Sequence, residues 1–369
     1  MHTIALFGSG KIGESITALL ASSGRYKVKI CDHDLVRANA VAGGWASTEA
    51  HHLNLDDRAN VRSILSGCDL VISALPYFCN SLVAQAAFDA GVHYVDLTED
   101  VESARFIATL AAQSKRSCFM PQCGLAPGFV SIAAAHLIKL FDSLDTVKMR
   151  VGALPIYPTN RLKYNLTWST DGLINEYCNL CEVISDSARL FVLALEGYER
   201  FSLDGDEYEA FNTSGGLGTL CETLEGRVRE LNYKSIRYPG HRDLVAFLLN
   251  DLRFRDDRLA LKQILERSIT TTAQDKCMIL VEVTGMVGQR FCQKTYASTV
   301  YNQSIAGKHF GAIQVTTAAG ACAAIDLLLQ GTLGTNRGLV KAEDIALPDL
   351  LANEFGRYFS DERALKGIA

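Results

Sequence analysis

Six residues near the N-terminus have the types and spacing to hold a diphosphate: Gly8-Ser9-Gly10-Lys11-Ile12-Gly13. They follow an apolar run, His2–Phe7, and open an amphipathic one, Ile12–Ser22. That order turns a strand into a helix and aims the helix's first amides at a pyrophosphate. Gly8 permits the tight turn, Gly10 lets the backbone approach the phosphates, and Gly13 lets helix and strand pack closely. An acid should close the second strand to bind the ribose hydroxyls. Asp32 stands at the end of Lys27–Cys31. Its charge repels a 2′-phosphate and favours NAD over NADP, with Arg37 nearby to soften the preference. Two readings compete: a glycine-rich turn with a surface Asp, and a methyltransferase. The full three-glycine spacing with a continuing helix favours the dinucleotide.

Further chemistry is expected at other strand ends, because ligands of doubly wound sheets sit outside the carboxyl ends of the strands. Ala74, Leu75 and Pro76 close one strand and adjoin the cofactor, with Tyr77 next in line. Asp96 closes another, and Cys123 follows a third. Tyr77, Asp96 and Cys123 are therefore candidates to converge near the nicotinamide. Ordinary loop polarity competes with this at each position.

The elements that must position these residues are legible as pattern. Buried strands are predicted at Thr3–Phe7, Lys27–Cys31, Leu70–Ala74, Tyr94–Leu97 and Cys118–Gln122. Helices are predicted at Ile12–Ser22, Arg58–Ser66, Ser81–Ala90 and Glu102–Ser114. Alternation of this kind gives a parallel sheet covered on both faces, an α/β doubly wound Rossmann domain. After Gly124–Gly128 comes a helix, Phe129–Phe141, and then period-two alternation, which reads as antiparallel strands. Strands are expected at Thr146–Ala153, Lys163–Trp168, Lys276–Met286 and Gln289–Val300, the last two joined by a hairpin at Val287-Gly288. Helices are expected at Asp186–Glu196, Leu217–Glu225, Arg242–Leu249 and Leu259–Thr270. The expectation is a second, mixed α/β domain with a largely antiparallel sheet over 126–315. Thr316–Gln330, stopped by Gly331, would pack back on the first domain, so that the latter comprises 1–125 plus about 316–369.

Composition excludes several classes. In 369 residues, 48% are hydrophobic and 21% charged, with a net charge of −5. A nucleic-acid binder needs a basic stripe, and no Lys/Arg block occurs. No membrane partner is expected, for want of an apolar run of about 18 residues, and the N-terminus has no signal-peptide pattern. Eleven cysteines, an odd number, fit a reducing cytoplasm better than a disulfide framework. Cys178 and Cys181 form a CxxC without a second pair at zinc spacing, so no metal is expected and two thiols on a helix are the favoured reading.

Beyond single motifs, the chain resembles the saccharopine dehydrogenase superfamily nearly end to end. The resemblance rests on Gly8–Gly13, Leu75-Pro76-Tyr77, Val95-Asp96-Leu97-Thr98 and Gly124-Leu125-Ala126-Pro127-Gly128. In the second half it rests on Tyr164–Ser169, Gly172–Tyr177, Thr213–Thr219 and Ile236–His241. It implies oxidation of a C–N bond with a nicotinamide cofactor, or the reverse reductive amination, on amino acids or polyamine precursors. It also implies C-terminal helices returning to the first domain, and dimerisation through the second sheet. The compact length resembles lysine 6-dehydrogenase more than the longer saccharopine-forming enzymes. Where those carry an Arg after Trp-Ser, this chain has Asp171, which suits the amine end of a substrate such as lysine.

On that reading a substrate amine, with a solution pKa of about 10.4, must lose a proton before hydride leaves. Asp96 and His241 are the candidate general bases. Glu176 is placed to hold an ammonium, and Arg237 to grip an α-carboxylate as a fork. Trp168 and Asn175 complete the expected substrate pocket, with Trp168 and Tyr164 on one face of a strand. Plainer roles compete: His241 capping a helix, Glu176 facing solvent, Arg237 snorkelling at the surface, Trp168 packing in the core. Two alternatives remain beside an amino-acid dehydrogenase. One is a polyamine-forming reductase of the carboxynorspermidine dehydrogenase type. The other is a nucleotide sensor that has lost chemistry, which the presence of Asp96 and Tyr77 disfavours.

Overall fold

The computed structural model describes residues 1–272 and 274–359, which fall into two compact units. The first comprises 1–129, 304–310 and 314–359; the second comprises 130–303 and 311–313. The expected remainder of the first domain, 360–369, lies outside the described residues.

Strands and helices alternate through the first unit as β1 (His2–Phe7), α1 (Lys11–Ser22), β2 (Tyr26–Asp32), α2 (Leu35–Ala42), β3 (Thr48–His52), α3 (Arg58–Leu65), β4 (Leu70–Ser73), α4 (Asn80–Ala90), β5 (His93–Asp96), α5 (Val101–Gln113) and β6 (Cys118–Met120). Strands β1, β4 and β6 are buried on both faces because helices cover the sheet. Asp34, Asp57 and Asp100 cap α2, α3 and α5 by accepting their first amides. Between β1 and β6, two elements have no counterpart in the sequence reading: α2 and the edge strand β3. β3 reads Thr-Glu-Ala-His-His and is only partly buried, so it carries no apolar run.

The second unit continues with α6 (Phe129–Ile138), β7 (Ser143–Pro155), α7 (Thr170–Cys178), β8 (Cys181–Ser185), β9 (Ala188–Val192), β10 (Glu199–Leu203), β11 (Asp206–Asn212), α8 (Leu220–Leu224), β12 (Glu230–Arg237), α9 (His241–Ala246), α10 (Arg258–Ser268), β13 (Asp275–Val287) and β14 (Arg290–Tyr301). Its sheet has the order β10-β11-β12-β7-β13-β14, antiparallel except for β12 beside β7, with the β8–β9 hairpin attached to β12. The β13–β14 hairpin turns through Gly288-Gln289, with Gly288 at φ 58°. Positive φ at the first central position suits the strand twist.

Three sequence expectations fail here. Asp186–Glu196 is not a helix: Asp186 and Ser187 adopt φ 48° and 67° and turn β8 back into β9. Consecutive positive φ values make a hairpin turn, which overrides the helical spacing of the apolar residues. Lys163–Trp168 is not a strand either. It is an irregular buried segment in which the Asn160 side chain bonds the Tyr164 backbone, and a helix, α7, follows it. Cys178 ends α7 and Cys181 begins β8, so the CxxC does not lie on one helix.

The chain then forms a short ribbon, β15 (Gln303–Ile305) and β16 (Lys308–Phe310), and the 18-residue α11 (Ala312–Leu329), followed by β17 (Gly338–Leu339) and α12 (Leu347–Ala352). β17 joins the first sheet beside β6, giving the fully parallel order β17-β6-β5-β4-β1-β2-β3. Within the first unit, α11 lies against the Gly124 loop: Gly320 is so close to the Gly124 carbonyl that a Cβ would sit 2.8 Å from it. α11 contains Gln314, Thr316, Thr317 and Asp326 and so is not the unbroken apolar run considered in the sequence. It is long and apolar enough to cross a membrane, and most of it is buried inside the protein.

Candidate functional site

Adenosine and nicotinamide halves of a dinucleotide must straddle the point where strand order reverses, between β1 and β4. The turn there is glycine-built. Gly8 has φ 102°, and a Cβ on it would meet the Ala74 carbonyl oxygen at 2.7 Å. A Cβ on Gly13 would overlap the Gly8 oxygen at 2.0 Å, whereas one on Gly10 would meet nothing within 4 Å. So Gly8 and Gly13 are required by the fold, while Gly10 has open space beside it. No side chain caps α1, so its first amides suit a diphosphate. Asp32 Oδ2 accepts from the Ser9 amide and hydroxyl, both at 2.7 Å, and Oδ1 accepts from the Asp34 amide at 3.0 Å. His33 Nδ1 stands 2.8 Å from Oδ1. Although burial opposes it, these hydrogen bonds hold the carboxyl below its ordinary range. Arg37 donates from Nε to the Ser9 carbonyl at 3.0 Å, and burial together with Arg37's charge lowers the Lys11 pKa. These residues fit a nicotinamide dinucleotide: amides and an open glycine for the diphosphate, an ionised acid for the ribose.

Ala74, Leu75 and Pro76 leave β4 against this turn; the Ala74 amide bonds the Phe7 carbonyl at 2.8 Å. Tyr77 follows, half-buried, edge-on to Phe78 at 5.6 Å. Among the described residues its hydroxyl has no hydrogen-bond partner. Asp96, by contrast, is fully buried. Its Oδ1 accepts from the Thr98 amide at 3.0 Å and the Gln122 amide at 2.9 Å, and its Oδ2 from the Tyr94 hydroxyl at 2.8 Å. Burial pushes its carboxyl up to about 6 against the pull of those donors. Cys123 is buried too, its thiol pushed up to about 12, mainly by burial and then by Asp96. Burial thus favours the neutral thiol over the thiolate that a nucleophilic role would use.

In the second unit, His241, Arg237, Tyr177 and Tyr164 form one buried array, with Trp168 bonded at its edge. Arg237 Nε donates to the Tyr177 hydroxyl oxygen at 2.8 Å. That hydroxyl faces His241 Nε2 at 3.0 Å, and His241 Nδ1 faces the Leu162 carbonyl at 2.7 Å. A carbonyl only accepts, so Nδ1 carries the proton and Nε2 accepts from Tyr177. Burial and the Arg237 charge lower the His241 pKa to about 3. His241 is thus a neutral ring with both nitrogens engaged, and the general-base role expected of it does not survive. Nor does its side chain cap α9.

Arg237 is equally committed. Its Nη1 donates to the Ile236 carbonyl at 2.9 Å, its Nη2 lies 3.7 Å from Glu176, and its guanidinium lies 5.0 Å from the Tyr164 ring centroid. The fork expected to hold a substrate carboxylate is spent inside the fold. Glu176 is buried on α7 beside it rather than facing solvent. Trp168 is half-buried and donates from its indole to the Tyr164 hydroxyl at 3.0 Å. Asn175 Oδ1 accepts from Arg258 at 3.0 Å. Asp171 is paired with Lys262 at 2.6 Å. The ammonium expected of a substrate is therefore already supplied by the protein, and Asp171 no longer points to lysine.

Sequence reasoning missed Tyr177, Tyr94 and Gln122. Tyr177 adjoins Glu176 in a block already singled out. Gln122 gave no signal, because its left-handed backbone (φ 62°) is not what its residue type favours.

Residues 4–118 match the family model of the saccharopine dehydrogenase NADP binding domain, and residues 124–357 that of the saccharopine dehydrogenase C-terminal domain. The chain belongs to the saccharopine dehydrogenase family. It is 27% identical over 180 residues to a saccharopine dehydrogenase [NADP(+), L-glutamate-forming] of Schizosaccharomyces pombe, covering 47% of this chain and 40% of that one. A second, of Pyricularia oryzae, is 26% identical over 190 residues, covering 50% and 42%. The matched stretches thus span less than half of those curated relatives. Among solved structures, the apo saccharopine dehydrogenase (L-Glu forming) of Saccharomyces cerevisiae has the same fold, with TM-score 0.74, 17% identity and 95% of each chain covered. A homospermidine synthase of Legionella pneumophila in complex with NAD gives TM-score 0.65 at 14% identity, covering 97% of this chain and 89% of that one. NAD(P) is the cofactor class of the first unit.

Proposed function

We propose that this protein is an NAD(P)-dependent oxidoreductase acting on the C–N bond of an amino acid, with lysine and saccharopine as the first candidates. One observation carries the reading: a glycine cradle with an ionised Asp32 stands in the same chain as the C-terminal domain of the saccharopine dehydrogenase family. When bound, the dinucleotide supplies hydride acceptance at its nicotinamide. Gly8–Gly13 would hold its diphosphate and Asp32 its ribose hydroxyls. Tyr77, beyond the end of β4, is the side chain left to exchange a proton with the reacting nitrogen. Asp32 favours NAD over NADP; Arg37, holding the Ser9 carbonyl, moderates the preference.

Setting and assembly belong to the same reading. Eleven free cysteines support a reducing compartment such as the cytoplasm. The 12-residue edge strand β14, with Phe291 and Tyr301 exposed, supports a homodimer joined through the second sheet.

The test is reduced-nicotinamide absorbance with purified protein, NAD or NADP, and lysine, saccharopine, glutamate or polyamines at alkaline pH. Turnover of lysine or saccharopine is the expected result. Turnover of polyamines alone would replace the reading with a polyamine-pathway enzyme. Tight NADH binding without turnover of any of these would leave a nucleotide sensor.

A further inference from the structure

We propose that Asp96 is a positioning residue, whose carboxylate, fixed by Tyr94 and Thr98, takes the Gln122 amide and so holds the loop after β6 in place beneath the nicotinamide end of the cofactor site, and never meets the substrate. The inference rests on the cofactor reading above. With the ribose acid on β2, on one side of β1, the nicotinamide half must lie on the other side, over β4, β5 and β6. Asp96 ends β5, and every carboxylate contact it makes points into the protein. Oδ1 joins the Thr98 amide, just beyond β5, to the Gln122 amide, just beyond β6, while Oδ2 is tied back to Tyr94 in its own strand. The Asp96 carbonyl adds a fourth tie by accepting from the Cys123 amide at 2.8 Å.

What this clamp holds is a strained segment. Gln122 sits in the left-handed region at φ 62°, which costs a side-chain-bearing residue of its type free energy. The chain then closes on itself: the Gly124 amide bonds the Pro127 carbonyl and the Phe129 amide bonds the Gly124 carbonyl, at 3.1 and 2.9 Å. A Cβ on Gly128 would sit 2.2 Å from the Gly124 oxygen. Without the carboxylate at Asp96, the buried Thr98 and Gln122 amides lose their partner, and the Cys123 amide on the Asp96 carbonyl is the one tie left between the end of β5 and the residues just after β6.

Asn and Ala replacements separate this role from general-base catalysis. In Asp96→Asn the amide oxygen still accepts from Thr98 and Gln122, and its NH2 can donate to a rotated Tyr94 hydroxyl; Asp96→Ala removes every side-chain acceptor and keeps only the backbone carbonyl that takes the Cys123 amide. The expected result is NADH affinity and turnover within about threefold of wild type for Asn, and NADH binding at least tenfold weaker for Ala. Amide exchange at Thr98 and Gln122 should stay slow in Asn and become fast in Ala. If Asn loses turnover by a hundredfold while NADH binding and amide protection are intact, the carboxylate is a base and the proposal is overturned. Wild-type NADH affinity in Ala overturns it equally. Should the Ala protein fail to fold, Asn alone still decides between charge and geometry. NADH affinity and exchange need no turnover, so they test Asp96 even if no amino acid proves to be a substrate.

Discussion

At the scale of residues, the array around His241 shows how burial converts a candidate catalyst into a structural part. Its folded pKa of about 3 lies below the value of about 6.5 for an exposed histidine. Between those values the unfolded chain binds a proton that the folded one refuses, so the array's contribution to stability is lost as pH falls from about 6.5 towards 3. Asp96 has the opposite sign: its carboxyl, raised to about 6, takes up a proton more readily in the fold and opposes that loss between about pH 6 and 4. His241→Gln isolates one of the two. It should cost about 1–3 kcal/mol at pH 7 through the orphaned Tyr177 and Leu162 groups, and the gap to wild type should narrow by pH 5. Thermal unfolding at both pH values measures this, and a gap that widens would mean the ring is charged in the fold. Asp32→Ala belongs to the same scale. It should weaken NAD more than NADP, read by titrating each reduced cofactor, and an unchanged ratio would remove Asp32 from cofactor choice.

Among elements, the glycine turn separates what the fold needs from what the cofactor needs. Gly13→Ala should lower the melting temperature of the cofactor-free protein, because its Cβ meets the Gly8 carbonyl. Gly10→Ala should leave that temperature unchanged and weaken NADH at least tenfold, because its Cβ meets no protein atom. Equal NADH affinity in Gly10→Ala would place the diphosphate elsewhere. The turn was legible in sequence because glycine spacing states a backbone requirement directly. The β8–β9 hairpin was not, since Asp186 and Ser187 are ordinary residues whose positive φ values arise only once the strands pair. Likewise the irregular segment before α7 alternates like a strand but is held by Asn160 and buried under aromatic side chains, which spacing alone does not reveal.

On the scale of the whole molecule, the doubly wound fold of the first unit and the mixed sheet of the second were legible, because strands buried on both faces and strands buried on one leave different patterns. The site in the second unit was legible only as a set of names. Arg237, His241 and Asp171 were singled out for open chemical groups, and each proved to have a partner inside the protein: Tyr177, Leu162 and Lys262. Such partners are distant in sequence, and no spacing rule reaches them. Connectivity yields a prediction of its own. Asp326, on α11, accepts from Arg25 at 2.7 Å and from Tyr26 at the start of β2, and Phe359 stacks on Phe129 at 3.7 Å. A fragment of residues 1–129, which lacks α11 and Phe359, should therefore show no cooperative unfolding transition by calorimetry. A sharp transition in that fragment would show that the first unit is complete without its return segment.

That return segment bears on how the protein is made. β17 and α11 reach the first sheet only from beyond residue 303, so the cofactor fold cannot close while the ribosome is still building the second unit. The nascent segment 1–129 must wait, with the sides that α11 and β17 will cover still exposed, for most of translation. Its biogenesis should accordingly depend on chaperone occupancy more than that of a dinucleotide-binding domain encoded in one piece.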